Sequence, residues 1–153
     1  MCDSPYYVSI KGKPEDTPVP CGRCPNCKKR KAAEWGFRLE QENRVSTSAY
    51  FITLTYNTKH VPIAKSGYLT LDKEDFRLFM KRLRYHEKGS PLKYYGCGEY
   101  GTQGFRPHYH LILFNLRDPE SIHKSWTKGN VDIIDDVNPA SIAYVCKYLH
   151  KEK

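Results

Sequence analysis

RPHYHLILF, residues 106–114, is an apolar run opened by a proline, and it has the length and composition of a β-strand. Side chains two apart on a strand share a face, so His108 and His110 project together from one pleat. The preceding run, PLKYYGCGEY (residues 91–100), reads as a second strand. Gly101 to Phe105, which contains two glycines, joins the two runs as a hairpin would. A hairpin of that register brings Glu99 alongside both imidazoles. A third strand is AYFITLTYN (residues 49–57), where Phe51, Thr53 and Thr55 alternate with Tyr50, Ile52, Leu54 and Tyr56.

Helical patterns surround these strands. From about Asn26 the sequence turns to KKRKAAEWGFRLEQENR, a helix of roughly four or five turns, with Ala33, Trp35 or Gly36, Phe37 and Leu39 on a partly apolar face. Asp72 caps LTLDKEDFRLFMKRLRYHEK, an amphipathic helix with Phe76, Phe79, Met80 and Leu83 on one side and Lys81, Arg82, Arg84 and Lys88 on the other. A short helix covers Pro119 to Trp126, and GNVDIIDDV is a charged edge strand. Asn138 and Pro139 open a last helix, NPASIAYVCKYLHK. Ser9 to Pro20, with three prolines, reads as an irregular arm. The strands lack the long apolar stretches of a buried parallel sheet. The expected class is therefore α+β, a central antiparallel sheet of about five strands flanked by helices.

At 153 residues the chain is one domain, 1–153, with 1–27 as a cysteine-containing N-terminal arm. Its 25 Lys and Arg against 17 Asp and Glu leave a formal charge of +8, and 12 tyrosines are available to stack or react. A polyanion is the first partner to consider. The apolar runs are too short to cross a bilayer, and MCDSPYYVSIKGKPED lacks the pattern of a secretory signal, so a cytoplasm is the expected compartment and no membrane partner is expected.

The six cysteines then call for a reducing-compartment explanation. Cys21, Cys24 and Cys27, with Cys2 as an assumed fourth thiolate, could form a structural zinc site; the same spacing could hold an iron–sulfur cluster or be reduced thiols. Cys97 and Cys146 read as small buried hydrophobes.

Two constellations bear on chemistry. Two imidazoles and one carboxylate with open positions, from His108, His110 and Glu99, suit a divalent ion that still binds phosphate oxygens. Six histidines in this length give a His-x-His pair by chance often enough that two polar residues on a solvated face is the alternative. On the final helix Tyr144 and Tyr148 lie one turn apart with Lys147 beside them, while Ile142, Val145, Cys146 and Leu149 point mainly to a core. Amphipathic tyrosines at a core margin are the plain reading. A phenol of pKa about 10 becomes a nucleophile when its developing charge is compensated, here by Lys147 and a metal-polarised phosphate.

The order FITLTYN, GEYG, RPHYHLILF, YVCKYLHK, from about Cys21 to the end, resembles the HUH endonuclease superfamily of rolling-circle replication initiators. Within it, the order is most similar to the initiators of small single-stranded DNA phages, the gokushovirus-type microviruses. Tyr109 fills the hydrophobe slot between the histidines. The resemblance implies that His108, His110 and Glu99 hold Mg²⁺ or Mn²⁺ and that Tyr144 and Tyr148 are nucleophiles. It implies nicking and rejoining of single-stranded DNA at an origin hairpin or nick site through a covalent 5′-phosphotyrosine. A host helicase or polymerase would be a further partner and the bacterial host cytoplasm the location. Relaxases use the same chemistry but place tyrosine ahead of the histidines. The chain ends a few residues after the tyrosine helix, as a nuclease domain of a longer protein would, and it contains no helicase P-loop.

In such an enzyme Lys28, Lys29, Arg30, Lys31, Arg106 and the basic face of the 72–88 helix are candidates for phosphate contact, although a solvated helix start is the commoner reading of the run. Tyr56, Tyr95, Tyr100 and Phe105 are candidate base-stacking platforms. The competing function is a non-catalytic nucleic-acid-binding module stabilised by zinc, which would need neither the metal triad nor the paired tyrosines.

Overall fold

The computed structural model describes residues 1–101, 104 and 106–147. Chain order runs β1 (Tyr6–Val8), β2 (Thr17–Val19), α1 (Pro25–Val45), β3 (Ala49–Thr55), α2 (Lys73–His86), β4 (Lys93–Tyr100), β5 (Pro107–Phe114), α3 (Glu120–Ser125), β6 (Val131–Ile134) and α4 (Pro139–Lys147). Among the described residues the central sheet has four strands in the order β4-β5-β3-β6, each neighbour antiparallel. The α+β class is as the sequence implied. The remaining two strands form a separate ribbon, β1 with β2.

Each face of the sheet carries its own apolar layer, because strand alternation sends successive side chains to opposite sides. Ile52, Leu54, Tyr56, Tyr109, Leu111 and Leu113 pack on one face against Phe79, Met80 and Leu83 of α2, Ile122 of α3 and Trp126. Ile112 and Phe114 pack on the other against Leu39 of α1 and Ile142, Val145 and Cys146 of α4. The histidines alternate with Tyr109 and Leu111, so they belong to the face covered by α1 and α4.

Local signals set the helix starts. Asp72 accepts from the Glu74 N–H at 2.9 Å, and Asn138 Oδ1 accepts from Ala140 and Ser141 at 3.0 and 3.1 Å. At the end of β3, Asn57 N–H donates to the Lys128 carbonyl at 2.8 Å, and a Cβ on Gly129 would land on the Thr55 carbonyl oxygen. Only glycine lets that loop close over the strand end.

Three expectations are corrected. The 9–20 arm is not wholly irregular, since Thr17–Val19 pairs with Tyr6–Val8 around a turn in which Lys13 N–H donates to the Ile10 carbonyl at 3.0 Å. Pro18 is tolerated because a two-stranded ribbon leaves outward N–H positions unpaired. Helix α1 has 21 residues, nearly six turns rather than four or five. Phe37 is 63% exposed, because it lies about 200° around the helix from Trp35 and Leu39, which carry the buried side. None of the described helices is long and apolar enough to cross a membrane.

Candidate active site

The hairpin register places Glu99 opposite His108 and Cys97 opposite His110, while β3 places Thr53 opposite His110 and Thr55 opposite His108. Glu99 Oε2 lies 3.3 Å from His108 Nε2 and 2.9 Å from His110 Nε2. All three side chains are largely removed from solvent, at 9, 19 and 8% exposure for Glu99, His108 and His110. One donor atom from each of the three residues lies within 4.8 Å of the others.

The far nitrogens are anchored. His108 Nδ1 is 3.1 Å from the Arg106 carbonyl oxygen, an acceptor only, so that nitrogen carries the proton and the Nε2 lone pair faces Glu99. His110 Nδ1 is 3.1 Å from Thr53 Oγ1. Hydrogen bonds of this kind fix tautomer and ring orientation at metal-binding histidines. Burial, reinforced by neighbouring His108 and partly opposed by Glu99, pulls the His110 pKa below its ordinary 6.5, so the ring is neutral near pH 7. Neutral imidazoles and a carboxylate converging on one point are a donor set for a divalent cation.

Helix α4 sets Tyr144 against this cluster. Its ring stands edge-on to His110, centroids 5.3 Å apart at 89°, and edge-on to Phe51 at 6.0 Å. Phe51 in turn stacks on His110 at 5.9 Å, and Lys147 Nζ lies 5.8 Å from the Tyr144 ring centroid. Ile142, Val145 and Cys146 are buried beneath the helix while Tyr144 stays 38% exposed at its margin. Tyr148, the paired tyrosine of the sequence reading, lies outside the described residues, as does Phe105.

The remaining candidates divide. Tyr56 is only 2% exposed, with its hydroxyl donating to Asp75 Oδ2 at 2.9 Å on the opposite sheet face. That corrects its assignment as a stacking platform. Tyr95 packs against Trp35 at 4.9 Å, whereas Tyr100 is 41% exposed. Arg106 donates from Nε and Nη2 to the Tyr56 carbonyl at 3.2 and 2.8 Å, tying the start of β5 to the end of β3. Lys28, Lys29, Arg30 and Lys31 lie on the first turns of α1, with Arg30 3.7 Å from Glu34. The basic side of α2 sits on the layer away from the histidines, which separates it from any path past Tyr144. Cys2, Cys21, Cys24 and Cys27 form a second cluster with sulfurs within 4.8 Å of one another. Cys146 is buried and Cys97 half-buried.

Two supporting residues were not singled out from sequence, Thr53 and Phe51. Both alternate with the buried Ile52 and Leu54, which puts them on the histidine face. Only the β3–β5 register shows that Thr53 is the one opposite His110.

Fold and site together define an α+β protein whose central sheet carries a two-histidine, one-carboxylate cluster beneath a tyrosine-bearing helix. The chain belongs to the replication-associated protein ORF2 family, whose model matches residues 49–153, the segment holding the whole cluster and α4. It is 30% identical to replication-associated protein VP4 of Bdellovibrio phage phiMH2K, over 87% of this chain and 48% of that protein. It is also 30% identical to replication-associated protein ORF2 of Spiroplasma virus 4, over 88% and 48% of the two chains. With replication-associated protein ORF4 of Chlamydia phage 1 it shares 28% identity over 88% and 38%. The chain thus spans about half the length, or less, of these relatives. Among solved structures, hypothetical protein ORF119 from Sulfolobus islandicus rod-shaped virus 1 aligns over 82% of this chain and 97% of its own, at 22% identity and a TM-score of 0.47.

Proposed function

We propose that this chain is the nuclease domain of a phage replication initiator that nicks and rejoins single-stranded DNA through a covalent tyrosine intermediate. The observation that carries this reading is the 5.3 Å edge-on contact between Tyr144 and His110, which puts a solvent-accessible phenol beside a cluster built to hold a cation. The family's association with phage replication agrees with it.

His108 and His110, through Nε2, and Glu99 would hold Mg²⁺ or Mn²⁺. The donor set fits: two imidazole nitrogens aimed at one carboxylate oxygen, with the far nitrogens pinned by Arg106 and Thr53. The bound ion would polarise the scissile phosphate and offset charge built up during attack. Tyr144 then supplies the nucleophilic oxygen. A bond forms from that oxygen to phosphorus as the P–O3′ bond breaks; the phenol loses its proton and the departing 3′-oxygen gains one. The 5′-phosphate stays on Tyr144 and a free 3′-hydroxyl is left as a primer end for a host polymerase. Lys147 stands over the ring, where its positive charge favours the developing phenolate. Tyr148 is proposed as the second nucleophile, which would cut regenerated origin while the first tyrosine holds its strand. Joining reverses the step and needs no ATP, because the phosphodiester energy is kept in the covalent link.

Lys28, Lys29, Arg30 and Arg106 are proposed to contact phosphates, and exposed Tyr100 to stack a base, with the reaction taking place in the host cytoplasm. The test is incubation with origin oligonucleotide and Mn²⁺, followed by denaturing electrophoresis. A denaturation-resistant shift with a released 3′-hydroxyl fragment is expected. No adduct under Mg²⁺ or Mn²⁺, with DNA binding intact, would leave the non-catalytic binding module as the better reading.

A further inference from the structure

The N-terminal ribbon has almost no core of its own. Its strands are three residues each, and Tyr6, Tyr7 and Val8 are 52, 68 and 39% exposed. A two-stranded ribbon that buries so little apolar surface is marginal in water. What holds the arm together is a group of four sulfurs. Cys2 comes from the segment before β1, Cys21 and Cys24 from the loop after β2, and Cys27 from the first turn of α1.

None of the four is in a disulfide. Cys21 Sγ is 4.0 Å from Cys27 Sγ, and Cys2 Sγ is 3.8 Å from Cys24 Sγ. A regular tetrahedron of sulfurs about 2.3 Å from a central zinc has edges of about 3.8 Å, whereas bonded sulfurs would be about 2 Å apart. An iron–sulfur cluster places several metal atoms between its cysteines and spreads them farther than these distances.

The backbone around the sulfurs is arranged for thiolates. Cys21 N–H donates to Cys2 Sγ at 3.3 Å; Arg23 and Cys24 N–H donate to Cys21 Sγ at 3.4 and 3.3 Å; Asp3 and Cys27 N–H donate to Cys24 Sγ, each at 3.4 Å. Gly22, at φ +74°, makes the turn that aims the Arg23 and Cys24 amides back at Cys21. Cys24 is the N-cap of α1 with Pro25 after it, so the partial positive charge of the helix start adds to these donors.

We propose that Cys2, Cys21, Cys24 and Cys27 bind one Zn²⁺ as a closed tetrathiolate site that anchors the β1–β2 ribbon to the start of α1. The ion adds no step to the reaction proposed for Tyr144. With four thiolates filling its tetrahedron it has no open position for substrate, so its work is structural. It replaces the apolar core the arm lacks, and it holds the ribbon and its exposed Tyr6 and Tyr7 beside the basic first turns of α1.

The experiment uses the purified chain. Metal content is measured after gel filtration through a weak chelator, for wild type, for a His108→Ala, His110→Ala double variant and for a Cys24→Ser, Cys27→Ser double variant. One zinc per chain is expected in wild type and in the histidine variant, and none in the cysteine variant. If the cysteine variant does not fold, wild type still decides. Titration with an organomercurial should release one zinc as four thiols react, and cobalt substitution should give strong thiolate charge-transfer absorption. Wild type without metal, wild type with iron in place of zinc, or zinc lost with the histidines would each overturn the assignment. Because the histidine variant separates the two clusters, this site and the proposed nuclease centre fail independently.

Discussion

Tyr144 meets His110 edge to face, ring planes at 89° and centroids 5.3 Å apart, and this contact joins a helix to a strand that the sequence separates by more than thirty residues. Replacing Tyr144 by Phe keeps the ring and the packing on Phe51 but removes the phenolic oxygen. Loss of a covalent nucleophile typically costs at least about 10³-fold in rate. Tyr144→Phe combined with Tyr148→Phe should abolish the protein–DNA adduct on a denaturing gel while leaving oligonucleotide affinity within about twofold. Adduct persisting in the double variant would assign the nucleophile elsewhere.

Thr53 touches no substrate in this reading. It holds His110 Nδ1 from 3.1 Å, and hydrogen-bond partners behind metal ligands commonly contribute ~10–100-fold to metal affinity or activity. Thr53→Val preserves shape and removes the hydroxyl. The Mn²⁺ concentration giving half-maximal nicking should rise by about that factor, with activity recovering at saturating Mn²⁺. An unchanged metal dependence would show that the ring is held by packing on Phe51 alone.

Burial lowers the His110 pKa below its usual 6.5, an effect His108 reinforces and Glu99 opposes. Below pH 6.5 the unfolded chain therefore binds a proton that the folded chain resists, so stability is full above that value and falls as pH drops through the lower folded pKa. Thermal unfolding of metal-free protein should shift to lower temperature between about pH 7 and about pH 5, and His110→Gln should flatten this component of the slope. Identical slopes for both proteins would remove His110 as the source.

Burial first, and then the charges of Glu99 and Cys146, push the Cys97 thiol up to about 12, and burial raises Cys146 as well. Both stay protonated at about pH 8 and are poor nucleophiles there. Backbone N–H donors lower Cys2 and Cys21 instead. After chelation, iodoacetamide labelling followed by peptide mass spectrometry should modify Cys2 and Cys21 first, with Cys97 and Cys146 reacting only on denaturation. Early labelling of Cys97 would show that its surroundings open to solvent.

Periodicity was sufficient for the elements themselves. Alternation in AYFITLTYN and RPHYHLILF marks β3 and β5, and the apolar spacing of Phe76, Phe79, Met80 and Leu83 marks α2. Asp72 and Asn138 stand where the helices begin because their side chains accept the otherwise unpaired amides of a first turn. The donor set was legible for the same local reason: strand geometry puts His108 and His110 on one pleat, and a short hairpin can offer only a few partners, Glu99 among them.

Other features depend on distances between segments that no local rule sets. Strand order β4-β5-β3-β6 decides that Thr53 rather than Thr55 faces His110, and that Arg106 is committed to the Tyr56 carbonyl. Tyr56 looks in sequence like any exposed aromatic after a strand, yet packing against α2 and Trp126 buries it, because the alternation that frees Thr55 turns the next residue inward. Cys2 joins Cys21, Cys24 and Cys27 only because the β1–β2 ribbon folds back on itself, a closure of nearly twenty residues that spacing does not encode. Residue chemistry and strand or helix period are properties of neighbours along the chain and were determined by the sequence itself. Which side chains share a pocket follows from how the layers pack, and that was decided only in the tertiary structure.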